Sequence, residues 1–305
     1  MDDFAKHLEA IVLDQEHGAA QLAGVAIRAL AEFCQSLKVD HAQFFLTETK
    51  KAVIQVSRCR PSMAPIINWS SEFYCLLEER LRNIVSIEDC YVQATEVGQH
   101  LLQAQVDCLC KQIELARPFL RKFSSILTLS YSSTVEKLLL EAGPASARII
   151  VLESRPLFEG RKLALALHRQ HRSVRLITEA QAALFLPQVD LVLVGADTIC
   201  SDLAVVNKVG TKMLCLLARE SNVTSAVAAD TYKILPDTTS EQIILEEKDS
   251  AEVWREYSFL CRNIYFEPTP LRLIDHFITE KGILSAAEME QELDRLRALH
   301  RSLAD

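Results

Sequence analysis

Through the first 122 residues, apolar positions recur at helical spacing, and beyond them the period changes. The stretch 18–37, GAAQLAGVAIRALAEFCQSL, has apolar residues three and four apart and predicts a helix. A second helix is expected over 64–85, after Arg60-Pro61, where the proline marks a turn or helix start. A long helical pattern covers 86–123, opened by Ser86 and Asp89 in capping-box spacing and kinked or ended by Pro118. After residue 123 short apolar runs alternate with amphipathic segments. Strands are expected at 124–130, 147–154, 174–179, 190–196 and 224–230, and helices at 133–142, 159–170, 180–187 and 207–222. Strands that are continuously apolar are covered on both faces, so the alternation predicts a mostly parallel sheet with helices on both sides. The expected architecture is α/β: an N-terminal helical domain over 1–122, then a Rossmann-like domain over 123–305.

That topology gives the polar strand ends a meaning, because ligands of open α/β sheets bind beyond the carboxyl ends of the strands. Ser130 to Ser133, Glu153 to Arg155, Asp197, and Asp230 to Lys233 all follow predicted strands.

Composition narrows the partners. The chain has 305 residues, 49% hydrophobic, with a net charge of −8 and a pI near 5.6. Such an acidic chain lacks the basic footprint of direct nucleic-acid binding, but it still allows a local basic pocket for a phosphorylated small molecule. The nine cysteines have no zinc spacing, so no metal is expected, and they read as reduced thiols of a cytoplasmic protein. Neither a signal peptide nor a membrane span is expected from the sequence.

Each candidate residue has a structural and a chemical reading. Asp197 suits a cap or turn, or a general acid/base at an apolar strand end. Lys208, read as opening a helix after Asn207, suits solvent or a phosphate drawn by the helix N-terminus. The same pair of readings applies to Lys233 in AADTYK. Arg60 suits a surface turn or a bidentate phosphate clamp. His17 suits a cap or surface position, and Gly18 beside it would permit close backbone approach. Ser132 and Ser133 suit a plain N-cap or a phosphate cradle. The helix at 86–122 and the apolar stripe in PLRLIDHFITEKGIL suit core packing or pairing between subunits.

The ordered set EHGAA, RPSM, ILTLSYSSTVEKLLLEA, LESRPLFEGRKLALAL, VLVGAD, VVNKVGT, AADTYK and FEPTPLRLIDHFITEKGIL, from about residue 14 to 285, resembles one family. It comprises the α, β and δ regulatory subunits of translation initiation factor 2B. It also includes related isomerases acting on ribose-1,5-bisphosphate or methylthioribose-1-phosphate. The resemblance implies a helical and a Rossmann-like domain, assembly as a dimer or higher homo-oligomer, and association with initiation-factor components in the regulatory branch. It implies no cofactor. It places an isomerase aspartate at Asp197, phosphate and sugar contacts at Arg60, Asn207, Lys208 and Lys233, and further contacts at His17, Gly18, Ser132 and Ser133.

Two departures matter. The catalytic cysteine of the isomerases falls on Ser130. A thiol ionises near pH ~8.5, whereas a hydroxyl needs a strong helper to move a proton at neutral pH. The Asn-Gly-Gly ahead of the family's NK pair is Asp202-Leu203-Ala204 here, and that carboxylate would repel a phosphate if it pointed inward. Cys200, from a different strand end, is a poor replacement thiol. The expectation is a protein that binds a phosphorylated ribose compound or nucleotide with little or no turnover; the alternative is a sugar-phosphate aldose–ketose isomerase using Asp197 and Ser130.

Overall fold

The computed structural model describes residues 2–14, 18–61, 63–82, 86–245 and 247–304. The chain divides into two compact units. One comprises Met1–Cys108, Tyr232–Pro236 and Glu292–Asp305; the other comprises Leu109–Thr231 and Asp237–Gln291. The change of rhythm read near residue 123 falls between the last N-terminal helix and the first strand. The compact units are drawn differently, because the end of that helix packs with the sheet and two later segments pack with the N-terminal helices.

The first unit is built from α1 (Asp2–Leu13), α2 (Ala19–Ser36), α3 (Ala42–Cys59), α4 (Ala64–Leu81) and the first part of α5 (Ile87–Leu120). In α2 the buried positions include Ala19, Leu22, Ala23, Ala26, Ile27, Leu30 and Cys34, the stripe that a 3.6-residue period places on one face, with Gly24 and Ala29 buried beside it. They pack with Phe45 of α3 and with Phe73 and Leu77 of α4. Ser86 caps α5 by only half a box. Its Oγ accepts from the Asp89 N–H at 3.4 Å and donates to Glu88, not to Asp89. Pro118 lies inside the last turn of α5, which continues to Leu120 before it ends. The helix predicted over 64–85 ends at Leu81, and residues 83–85 lie outside the described residues.

One polar knot in this unit centres on a fully buried side chain. Asn68 of α4 is 0% exposed, and its Nδ2 donates to the carbonyls of Tyr232 at 2.6 Å and Ile234 at 2.7 Å. With both donors spent, its Oδ1 accepts, so the His300 Nε2 at 2.7 Å carries the proton. The Trp69 and Tyr232 rings stack at 3.8 Å. These contacts hold residues 232–236 on the helices.

The second unit contains a seven-stranded sheet in the order β10-β9-β7-β4-β1-β2-β3. The strands are β1 (Ser125–Leu129), β2 (Arg148–Leu152), β3 (Ser173–Ile177), β4 (Leu191–Gly195), β7 (Thr224–Ala228), β9 (His276–Thr279) and β10 (Gly282–Leu284). All neighbours run parallel except β10 against β9. Every residue of β1 and β4 is buried, which is why both read as unbroken apolar runs. α6 (Ser133–Lys137) continues as a π-helical turn over 138–142, so the expected helix there is one continuous element. α7 (Glu159–Arg169) and α9 (Thr211–Glu220) follow the prediction, the latter starting four residues late. The segment 180–187 is only a short α8 (Ala182–Phe185) between two 3-10 turns. The stripe in PLRLIDHFITEKGIL is a core strand: Phe277 and Ile278 of β9 are 1% and 0% exposed. The pattern did not announce a three-stranded antiparallel sheet of β5 (Thr198–Ile199), β6 (Val205–Lys208) and β8 (Phe266–Thr269). α10 (Ala286–Ala304) closes the chain.

From β1 the chain moves outward through β2 and β3 on one side, and β4, β7 and β9 lie on the other. β1 and β4 therefore flank the topological switch point, where the two directions of winding leave a crevice at the strand ends.

Candidate functional site

Ser130 follows β1 and Asp197 follows β4, so both hang at the switch point of the second unit. Ser130 is 8% exposed and has a left-handed backbone, φ 59°. That turn is secured by hydrogen bonds across the ends of three adjacent strands. The Ser130 N–H donates to Ser154 Oγ at 2.7 Å, and the Ser154 N–H donates to Glu179 Oε1 at 2.5 Å. Ser132 is the N-cap of α6, its Oγ accepting from the Val135 N–H at 3.3 Å, and Ser133 is the first helical residue. Gly195 lets this turn close on β4, because a Cβ there would lie 2.8 Å from Ser132 Oγ. Asp197 is half-buried, and its N–H donates to the Val206 carbonyl at 2.9 Å, tying the end of β4 to β6.

Asn207 and Lys208 are not at a helix start. They end β6, and α9 begins only after the N-cap Gly210. Antiparallel pairing with β8 sets their place, with Asn207 opposite Glu267 and Lys208 opposite Phe266. Asn207 Nδ2 donates to Thr211 Oγ1 at 2.9 Å, and Thr211 Oγ1 donates to the Lys208 carbonyl at 2.7 Å.

The anion predicted at the start of α9 is supplied by the protein. Glu267 Oε1 accepts from the N–H groups of Gly210 at 2.7 Å and Lys212 at 3.1 Å. A carboxylate there satisfies two helix donors and the positive end of the dipole. Lys208 is also paired: its Nζ lies 2.7 Å from Glu159 Oε1 and 4.3 Å from the centre of the Tyr265 ring. The Tyr265 hydroxyl donates to Glu252, and burial together with that carboxylate holds its phenol well above the usual range. Glu159, Glu267 and Tyr265 were not singled out from the sequence. Glu159 is the first residue of α7, a signal that reads only as a favourable helix-terminal acid until the partner is known.

Asp202 turns outward. It is exposed and accepts from the Ser240 N–H at 3.2 Å and the Ser240 hydroxyl at 2.6 Å. Cys200 is buried, and burial followed by Asp202 pushes its thiol up to about 12. Burial also pushes Cys34 and Cys215 up to about 12, whereas Cys110 is exposed. Alkylation of the folded protein with iodoacetamide at about pH 8 is expected to label Cys110 and spare these three, as read by peptide mass spectrometry. An unperturbed thiol of an unfolded chain releases its proton near pH ~8.5. The stabilisation from keeping them protonated is complete below that pH and is lost as the pH climbs towards about 12.

Other expected contacts belong to the first unit. Lys233 lies in the 232–236 segment and is 5% exposed. Arg60 follows α3 and closes the C-terminus of α1: its Nε donates to the Ile11 carbonyl at 3.1 Å, and its Nη2 donates to the Val12 carbonyl at 2.8 Å and to that of Asp14. This contact sets a guanidinium on the negative end of a helix. Gly18 is the N-cap of α2 at φ −76°, where a Cβ would meet nothing within 4 Å. His17 lies outside the described residues. Among the described residues no cluster of three or more His, Cys, Asp or Glu suits a metal ion, and no helix is long and apolar enough to cross a membrane.

The chain is 31% identical over 281 residues to a putative translation initiation factor eIF-2B subunit 2-like protein of Pyrococcus furiosus, covering 92% of this chain and 95% of the relative. It is 28% identical over 301 residues to the ribose 1,5-bisphosphate isomerase of Archaeoglobus fulgidus, covering 93% and 90%. Among solved structures, the translation initiation factor eIF-2B of Pyrococcus horikoshii superposes with a TM-score of 0.77 at 26% identity, over 94% of this chain and 98% of that one. The profile of the initiation factor 2 subunit family matches residues 15–286, most of the chain. Fold and relatives agree, and this chain belongs to the initiation factor 2 subunit family, the IF-2B group that includes ribose-1,5-bisphosphate isomerases.

Proposed function

We propose that the second unit binds a phosphorylated ribose compound or a nucleotide at the β1/β4 switch point, with little or no turnover. The chain would act by associating with itself as a dimer or higher and with initiation-factor components. The observation that carries this reading is Ser130. It stands where the isomerases of the resemblance have a thiol, and Cys200, at a different strand end, is buried with its thiol raised to about 12. An aldose–ketose conversion needs two groups that exchange protons near neutrality, and a serine hydroxyl is too weak an acid to be one of them unaided. Asn207, Lys208, Ser132 and Ser133 supply contacts of this unit in the proposal. Arg60, Lys233, Gly18 and His17, which the resemblance also names, lie in the other unit and are not used in this proposal.

A second reading, a working isomerase, is favoured by one feature: Asp197 keeps a half-buried carboxylate residue at the end of β4. The two readings separate on incubation with ribose-1,5-bisphosphate followed by NMR of the sugar. The expected result is line broadening of the ligand without ketose product. Ketose formation lost in Asp197→Asn would make the chain an isomerase without its thiol; ligand lines unchanged by the protein would end the binding reading.

A further inference from the structure

The family resemblance makes Lys208 a phosphate contact, yet its ammonium already has an anion. Lys208 is 4% exposed, and Glu159 Oε1 lies 2.7 Å from its Nζ. The Tyr265 ring also faces the ammonium, its centre 4.3 Å away. The second carboxylate oxygen of Glu159 is buried and has no hydrogen-bond partner among the described residues. An ion pair that satisfies one oxygen and leaves the other unpaired is a poorly compensated arrangement for a buried charge. The Glu159 side chain is itself 26% exposed, against 6% for that of Lys208. Glu159 is the first residue of α7, and its side chain is the more accessible of the two.

We infer that Glu159 is a specificity-determining gate over Lys208. It occupies the position a phosphoryl oxygen would take, so an anionic ligand reaches the ammonium only by displacing the carboxylate. This rests on the reading that Lys208 belongs to the ligand site. The consequence is discrimination by charge. A weakly charged ligand cannot evict Glu159. A phosphate dianion, which brings more charge and three acceptor oxygens, competes for the same donors. With Glu159 in place the net charge offered to a phosphate by this pair is zero, and a carboxylate left close to the incoming phosphate repels it.

The test is isothermal titration of the full chain with inorganic phosphate and with ribose-1,5-bisphosphate. The proteins are the parent, Glu159→Gln, Glu159→Ser, Lys208→Met and the Glu159→Gln/Lys208→Met double variant, each first checked for a cooperative melt. Glutamine keeps the shape and removes the charge; serine keeps the test open if glutamine perturbs α7. The expected result is phosphate affinity at least about tenfold higher in the Glu159 variants, with the gain absent once Lys208 is also replaced. Affinity unchanged or weakened in both Glu159 variants, while the parent binds the bisphosphate, overturns the gate and leaves the proposed function standing. Binding by the Glu159 variants but not by the parent supports the gate and removes the parent's role as a ligand-binding protein. No binding by any of the proteins overturns both.

Discussion

Gly160→Ala is expected to destabilise the protein by about 3 kcal/mol or more, seen as a lower urea midpoint or as failure to accumulate in soluble form. A Cβ at residue 160 would lie 1.9 Å from the Leu152 carbonyl oxygen, 2.8 Å from its carbon and 3.0 Å from Glu153 Cα. All three are backbone atoms of the end of β2 and the turn after it, so no side chain can swing aside. The whole start of α7 must retreat from the sheet. The Gly160 N–H bonds the Glu153 carbonyl at 3.1 Å, and that contact would be lost as well. Gly98→Ala sets the scale. Its Cβ would meet the Ala31 methyl at 3.0 Å, where two helices can shift slightly, and the cost there is expected to be visibly smaller. Because α7 begins with Glu159, any Gly160→Ala protein that does fold should also show the Lys208 pair broken. Equal midpoints for the two alanine variants would mean that α7 does not rest on β2 as closely as described.

Asn68→Ala is expected to cost about 2–4 kcal/mol, the range for stranding several buried polar groups at once. The side chain is fully buried and serves three partners: two carbonyls of the 232–236 segment and the ring of His300. Alanine leaves the cavity dry of donors. Leucine at the same place fills it but satisfies none of the three, so it should be no better. The local signature is faster amide exchange over residues 232–236, the segment that holds Lys233, read by hydrogen-exchange mass spectrometry. If stability fell without faster exchange in that segment, Asn68 would be a packing residue and not the anchor of residues 232–236.

The sequence alone determined the elements whose cause is local. Continuous apolar runs at β1, β2, β4 and β7, separated by amphipathic helices, can be buried only as a covered parallel sheet, so strand positions and the polar strand ends at Ser130 and Asp197 were legible. The N-terminal helices were legible for the same reason, through the stripe of α2. The tertiary structure decided what depends on partners distant in sequence. β6 reads as a helix start because two valines and an Asn-Lys pair carry no strand alternation of their own; pairing with β8, nearly sixty residues on, makes them a strand. The short 232–236 segment belongs with the N-terminal helices because Asn68, 164 residues away from Tyr232, supplies its hydrogen bonds. The charge of the candidate site was the least legible feature. Lys208 and the start of α9 promised an empty place for an anion, but Glu159 and Glu267, 49 and 57 residues from the groups they meet, fill both. Periodicity reports which face of an element is buried. It does not report which charge another element brings there, because that is set by sheet order and register, and those exist only once the chain has folded.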